Sequence, residues 1–245
     1  MHYLYTHIIF LPLYNGLVFL SGHIPYLGAG GVIILFTVIV RLILFPLSRK
    51  AARTQALMRQ IEPELASVKE RFKDDKQQQA LETMKIYKEK DVNPFSSILL
   101  LIIQIPIIFA LYRVFYSVGF SAPDSTLLYS FVHAPATLDT IFLGVIDITK
   151  KSAILAVLAA LSQYLQIRFA VPKPAPKTGK GGFQEDFAHT MHMQMKYVFP
   201  VMILFIAWNV AGALALYWIT SNLFMIAQEL VVRKQMAREA AVKAA

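Results

Sequence analysis

An arginine inside an apolar run is the residue of this chain best placed to do chemistry. Arg41 interrupts the stretch Gly30 to Leu47, which carries no other charged side chain. A charge at membrane depth is costly and usually functional. Counted from the basic end of the run it lies about six residues, or roughly 9–10 Å, inside. Three fates are open to it. It can pair with a carboxylate, for which Glu229 is the candidate inside an apolar stretch. It can snorkel along its own aliphatic stem to the interface. Or it can face a water-filled cavity, and other polar residues at helical spacing favour this. Thr37 lies one turn before Arg41 on the same face. Ser162 and Gln166 are four apart with Gln163 beside them, Trp218 and Asn222 are four apart, and Gln104 sits mid-run beside Pro106. Each alone is equally compatible with gluing one membrane helix to another.

Covalent chemistry has little to work with. The chain holds no cysteine, which removes disulfides, thiolate metal sites and sulfur nucleophiles together. No Gly-rich phosphate loop, zinc-protease motif or nucleophile elbow is present. His189-Thr190-Met191-His192-Met193-Gln194-Met195 offers imidazole and thioether groups that suit copper. Its plainer reading is an amphipathic helix on the inner leaflet, in which methionine supplies adaptable apolar surface. We adopt that reading, so no metal, no cofactor and no enzymatic activity are expected. Arg113 reads as a snorkelling residue at the outer interface.

The elements that must position these residues follow from composition. Of 245 residues, 56% are hydrophobic and 16% charged, against roughly 45–50% and about 25% in soluble domains. The apolar residues come in long blocks, and a bilayer core needs about 20 of them per helix. Five spans are expected, at 30–48, 94–118, 152–170, 197–210 and 211–232. The last two come from one apolar run, Tyr197 to Val232. As a single helix it would be roughly 54 Å long, so it must fold back, and Asn209-Val210-Ala211-Gly212 is the turn. The second span opens at Asn93-Pro94, a good N-cap followed by the residue best tolerated at the first helical position.

Lys and Arg collect in cytoplasmic loops. Eleven of the 24 lie in Ser48 to Asn93, four in Pro172 to Lys196 and four after Val232, while residues 1–29 carry none. This predicts an outside N-terminus, an extracytoplasmic loop 119–151, a cytoplasmic loop 171–196 and a cytoplasmic tail 233–245. Within residues 1–29, Leu11 to Leu20 reads as an interfacial helix on the outer face. The cytoplasmic segment 49–93 reads as a helical hairpin. Leu57, Ile61, Leu65, Val68 and Phe72 form one apolar stripe at spacings of three and four. Lys73-Asp74-Asp75 makes the turn, and Leu81, Met84 and Tyr87 form a weaker stripe. Pro63 should kink the first helix or restart it. Pro172 to Gly182 has the composition of a flexible basic loop. The fold class is all-α: a polytopic membrane protein of five transmembrane helices around a hydrophilic groove, with a cytoplasmic helical hairpin.

Five strings in this order then resemble the YidC family of membrane protein insertases: Pro12-Leu13-Tyr14-Asn15-Gly16-Leu17; Arg41 with Phe45-Pro46-Leu47; Val92-Asn93-Pro94; Gln104 through Tyr112; and Leu214 through Leu223. The resemblance covers nearly the whole chain. It implies a groove open to the cytoplasm and to lipid but closed outside. Arg41 falls on the family's groove arginine and Thr37 on the threonine one turn earlier. Gln104, Ile105 and Ile108 fall on substrate-contacting positions of the second span, Trp218 on the aromatic after the tyrosine of the last span, and Gln163 or Gln166 on the third span's polar group. The sequence departs from the pattern at Phe95-Ser96-Ser97, where many members have a Gly-Cys pair. It also has a short, moderately basic tail, which weakens the case for tail-based ribosome binding.

The implied activity is insertion and folding of nascent membrane proteins in the bacterial inner membrane, without ATP hydrolysis and with no specific nucleic acid. The protein would act as a monomer among membrane lipids, with the ribosome and a Sec translocon as candidate partners. Two rivals remain. A channel or transporter for an anionic solute could also use a buried arginine, though no internal repeat is evident. In a purely structural scaffold Arg41 would be a salt-bridge residue.

Overall fold

Helices dominate because the sequence offers long apolar runs whose backbone groups must be satisfied within each segment. The computed structural model describes residues 2–92, 96–115, 123–135, 137–170 and 190–244. In chain order the elements are α1 (Leu11–His23), α2 (Gly28–Ile43), α3 (Phe45–Arg71), α4 (Lys76–Glu89), α5 (Ser96–Arg113), a two-stranded hairpin β1 (Ile141–Phe142) and β2 (Ile146–Asp147), then α6 (Ala153–Ala170), α7 (Phe199–Asn209) and α8 (Gly212–Ala244). Among the described residues four helical stretches are long and apolar enough to cross a membrane: Pro25–Ile43, Ala153–Ala170, Thr190–Asn209 and Gly212–Glu239. The fold is all-α and polytopic. Helix α5 occupies the run expected to be the second span. The basic loop 172–182 and His189 lie outside the described residues.

Several boundaries differ from expectation for identifiable reasons. The run expected as one span over 30–48 is divided at Leu44, so that α2 stops at Ile43 and α3 starts at Phe45. Pro46 explains the break, since it has no N–H to offer the carbonyl of Leu42 and its ring crowds that carbonyl. Arg41 consequently lies in the last turn of α2, closer to the helix end than expected. The fourth span, expected over 197–210, begins at Thr190 and passes through a π-type turn, Gln194–Val198, before α7. The tail expected after residue 232 does not leave the helix, because α8 continues to Ala244. Helix α3 runs through Pro63 without a restart.

The hairpin of α3 and α4 has its own small core, Ile61, Ile86 and Val92, with Leu57, Leu65, Val68 and Tyr87 packed around it. The Asp75 side chain caps α4 by accepting from the Gln78 N–H at 2.9 Å. The main core joins α1, α2, α5, α6, α7 and α8 through Tyr14, Leu17, Val32, Ile33, Phe36, Leu111, Leu155, Ile203, Leu214 and Tyr217. Ala156 and Ala159 of α6 and Ala213 and Ala215 of α8 are buried in this core, and small residues allow membrane helices to approach closely.

At the end away from the hairpin, the loop over 123–150 closes the bundle. Its carbonyls satisfy helix N–H groups that have no intrahelical partner. The Asp139 carbonyl accepts from Ala29 at 2.7 Å, the Lys150 carbonyl from Gly212 at 2.8 Å and the Ile148 carbonyl from Ala213 at 2.9 Å. Helix α1 holds the loop from its other edge. The Asn15 amide donates to the Leu127 carbonyl at 3.0 Å and its oxygen accepts from the Tyr129 N–H at 2.6 Å. The Tyr14 hydroxyl accepts from the Asp124 N–H at 2.7 Å.

Candidate functional site

Helix α8 presents adjacent polar residues to different neighbours, because successive helical positions point about 100° apart. Ser221 faces α2, Asn222 faces α6 and Tyr217, one turn earlier, faces α5. Together they span six positions, or roughly 8 Å of helix axis.

On the α2 side, Arg41 is 9% exposed. Its Nε donates to Ser221 Oγ at 2.8 Å and one terminal nitrogen donates to the same oxygen at 2.5 Å. The expected alternative, a pair between Arg41 and Glu229, does not form. Glu229 lies two turns further along α8, where it accepts from Arg233 Nε at 2.9 Å, and Arg233 also reaches the Phe169 carbonyl of α6. An i,i+4 arginine is available to Glu229 without any rearrangement, so it captures the carboxylate. Arg41 is left with a neutral hydroxyl as its hydrogen-bond partner among the described residues.

On the α6 side, the Asn222 amide donates to Ser162 Oγ at 3.0 Å and to Gln163 Oε1 at 3.2 Å. The Gln163 amide in turn donates to Gln166 Oε1 at 3.2 Å. All four side chains are buried. Ser162, Gln163 and Gln166 share one face of α6 with Leu155, Ala156, Ala159 and Ile167, while Ile154, Val157, Leu158 and Leu161 cover the opposite, lipid-compatible face. On the α5 side, the Gln104 amide donates to the Tyr217 hydroxyl at 2.7 Å.

The residues nominated from sequence therefore separate into groups. Arg41, Gln104, Gln163 and Gln166 all enter hydrogen bonds in this layer. Thr37 does not join them, since its hydroxyl donates to the Ile33 carbonyl of its own helix at 2.6 Å and the residue is 1% exposed. Trp218 is buried in the apolar core. Ile105 is exposed on the outward face of α5 with Phe109 and Tyr112, and Ile108 is partly buried against the core. Arg113 stacks its guanidinium 4.2 Å from the Phe10 ring centroid, a cation–π contact in place of simple snorkelling.

Ser221 and Tyr217 were not singled out from sequence. Their four-residue spacing, which matches that of Trp218 and Asn222, is the signal that could have found them. Tyr14 and Asn15 likewise stood in a recognised string with no role attached. Among the described residues no group of three His, Cys, Asp or Glu side chains is placed to hold a metal. Met191, Met193 and Met195 point outward from the helix that leads into α7.

Below this layer α2 and α3 run alongside α8 in the same direction, tied by a ladder of side-chain pairs. Ser48 donates to Gln228 at 2.9 Å, Arg49 to Gln235 at 2.9 Å and Arg53 to Glu239 at 3.0 Å. The ladder explains why the tail stays helical, and it joins the hairpin to the helix that carries the site.

Residues 20–239 match the model of the family described as 60Kd inner membrane protein. The chain is 33% identical over 220 residues to a protein of Clostridium tetani named membrane protein insertase YidC, covering 89% of this chain and 88% of that one. It is 31% identical over 216 residues to a protein of the same name from Fusobacterium nucleatum, covering 86% and 90%. A longer protein of that name from Alcanivorax borkumensis is 32% identical over an alignment of 243 residues that covers 94% of this chain and 37% of the relative.

Proposed function

The chain belongs to the 60Kd inner membrane protein family, and on that premise we propose that it is a membrane protein insertase and chaperone acting on nascent membrane proteins. The substrate's polar flank crosses the bilayer through a cytoplasm-open groove beside Arg41, and the substrate helix then leaves sideways into lipid. The names of the relatives support the activity. The observation that carries the mechanism is the bonding of Arg41, a buried cation whose partner is the uncharged Ser221 hydroxyl.

A guanidinium carries five donors in a fixed fork, and Ser221 occupies two of them on one oxygen atom. An incoming carboxylate can replace that hydroxyl with two parallel, charge-assisted bonds, roughly twice as strong as neutral ones. It does not have to displace a resident carboxylate, because Glu229 is engaged by Arg233. The amides of Gln104, Gln163, Gln166 and Asn222 offer further bonds to a polar segment that would otherwise cross hydrocarbon unsatisfied. Ile105, Ile108 and Phe109 give the substrate helix an apolar surface to slide along. In this reading the hairpin and basic tail face the cytoplasm, the N-terminus lies outside, and the ribosome or a Sec translocon delivers substrate to a monomer.

The test is insertion of a single-span protein with an acidic outer tail into liposomes, scored by protease protection, beside the same substrate with a neutral tail. Arg41→Ala is expected to lose the acidic substrate selectively, with Arg41→Lys restoring part of it. Equal loss for both tails would remove the charge mechanism. Anion flux without insertion by the wild type would replace the insertase reading with that of a channel.

A further inference from the structure

The hairpin in the closing loop carries an apolar tip that the bundle does not cover. Ile141-Phe142-Leu143-Gly144-Val145-Ile146 contains no polar side chain. Leu143 is 77% exposed and Val145 80%. An exposed turn ordinarily takes Asn, Asp or Gly, which tolerate the left-handed backbone. Here Leu143 has φ +53° and is followed by Gly144 at +73°, so a bulky apolar residue is held in a strained conformation at the point most open to the surroundings. The turn chemistry alone would not choose it.

What surrounds the tip follows from where the hairpin is seated. The Phe142 ring lies directly on Gly30, so close that a Cβ there would come within 2.2 Å of it. Gly30 is five residues into the membrane-spanning stretch Pro25–Ile43, or roughly 7–8 Å along its axis. That stretch is 19 residues long, about 28 Å, and so matches a hydrocarbon core of about 30 Å. The seat fixes Phe142 near the boundary between headgroups and acyl chains. The flanking acids are engaged by local hydrogen bonds beside this tip. Asp139 accepts from the Ile141 N–H at 2.8 Å, and Asp147 is bonded by the Thr149 side chain at 2.6 Å and by Lys150 at 3.1 Å. Tyr26, 81% exposed, stands at the start of the same span, where aromatic residues favour the interface.

We propose that Leu143 and Val145 form a lipid-inserted wedge, which anchors the closing loop in the acyl-chain border of the leaflet at that end of the bundle. The occupant of this surface is the bilayer itself. The wedge gives the loop a further attachment, independent of its hydrogen bonds to the helix ends and to Tyr14 and Asn15, and on the proposed function it holds the capped end at a fixed depth while substrate passes.

The test exploits the lack of native cysteine. Variants L143C, V145C and, as a water-facing control, S130C are labelled with an environment-sensitive fluorophore in vesicles of phosphatidylethanolamine and phosphatidylglycerol. Shallow spin-labelled lipids are expected to quench positions 143 and 145 several-fold more than position 130, with iodide showing the reverse order. A second variant, Leu143→Asn, suits the left-handed turn and keeps the fold. It is expected to lower lipid quenching of a label at position 145. Iodide access at 143 and 145 equal to that at 130 would overturn the proposal. Shielding of both positions from lipid and iodide alike would overturn it in favour of a protein contact, such as a second copy of the chain.

Discussion

Replacing Asn15 by Leu removes the side chain that ties α1 to the closing loop while keeping the branching and the number of side-chain heavy atoms. The wild-type amide makes three bonds: donors to the Leu11 carbonyl at 2.9 Å and the Leu127 carbonyl at 3.0 Å, and an acceptor for the Tyr129 N–H at 2.6 Å. The Leu11 carbonyl belongs to a helix and loses little. The other two groups belong to irregular backbone and have no ladder to fall back on. An unsatisfied buried polar group costs about 1–3 kcal/mol. Residues 127 and 129 are only partly buried, so water recovers part of this, and about 2 kcal/mol for the pair is the working figure. If the segment opens locally, that lowers hydrogen-exchange protection of Tyr129 by roughly thirtyfold, at 1.4 kcal/mol per decade. The assay is amide exchange in nanodiscs, comparing the loop over 124–129 with α6 as an internal reference. Asn15→Asp separates the two bonds, because its carboxylate can still accept from Tyr129 but cannot donate to Leu127. Unchanged protection at Tyr129 in a folded Asn15→Leu protein would refute the reasoning and show that the Tyr14 hydroxyl and the helix-capping carbonyls suffice.

Two further predictions concern the same end of the molecule. Gly30→Ala drives a methyl into the Phe142 ring and should cost about 1–3 kcal/mol, as overpacking does; Phe142→Ala should be partly compensating, so a double-mutant cycle in thermal unfolding will show non-additivity. The Thr149 side chain, and next Lys150, hold the Asp147 carboxyl below the usual carboxylate range. Its contribution is therefore fully present above the ordinary carboxylate pKa of about 3.9 and is lost only as pH falls through the lower folded value. Exchange at the Thr149 amide should stay flat from neutrality down to that range and rise beyond it, whereas loss of protection at pH 5–6 would contradict the assignment.

How far the molecule was legible depends on the range of the interaction that decides each feature. Apolar run length placed the helical blocks, since that signal is local to each segment. It failed at Leu44, where one proline outweighed the apolar run around it, and at the α8 tail, where helix is kept by pairs with Arg49 and Arg53 that lie almost two hundred residues away. The polar face of α6 was legible from i,i+4 spacing. The identity of Arg41's partner was not. Composition nominated Glu229 as the obvious countercharge, but a charged pair inside one helix forms with no loop closed and no register set between helices, so Arg233 wins that carboxylate.

That competition has a consequence for the site. Had Glu229 met Arg41, the buried cation would have been neutralised by a partner whose removal leaves an uncompensated charge, and exchange for a substrate carboxylate would have had to break a charged pair. Ser221 gives the guanidinium enough hydrogen bonding to stay buried and no charge to compete with. The ladder through Ser48–Gln228 and Arg49–Gln235 sets the register of α2 and α3 against α8, and so keeps Ser221 opposite Arg41. A shift of the hairpin by one helical turn would slide Arg41 about 5.4 Å past Ser221, far outside hydrogen-bond reach. In the proposed mechanism the ladder and the neutral partner act together: one fixes where the cation sits, and the other would leave it able to change partners.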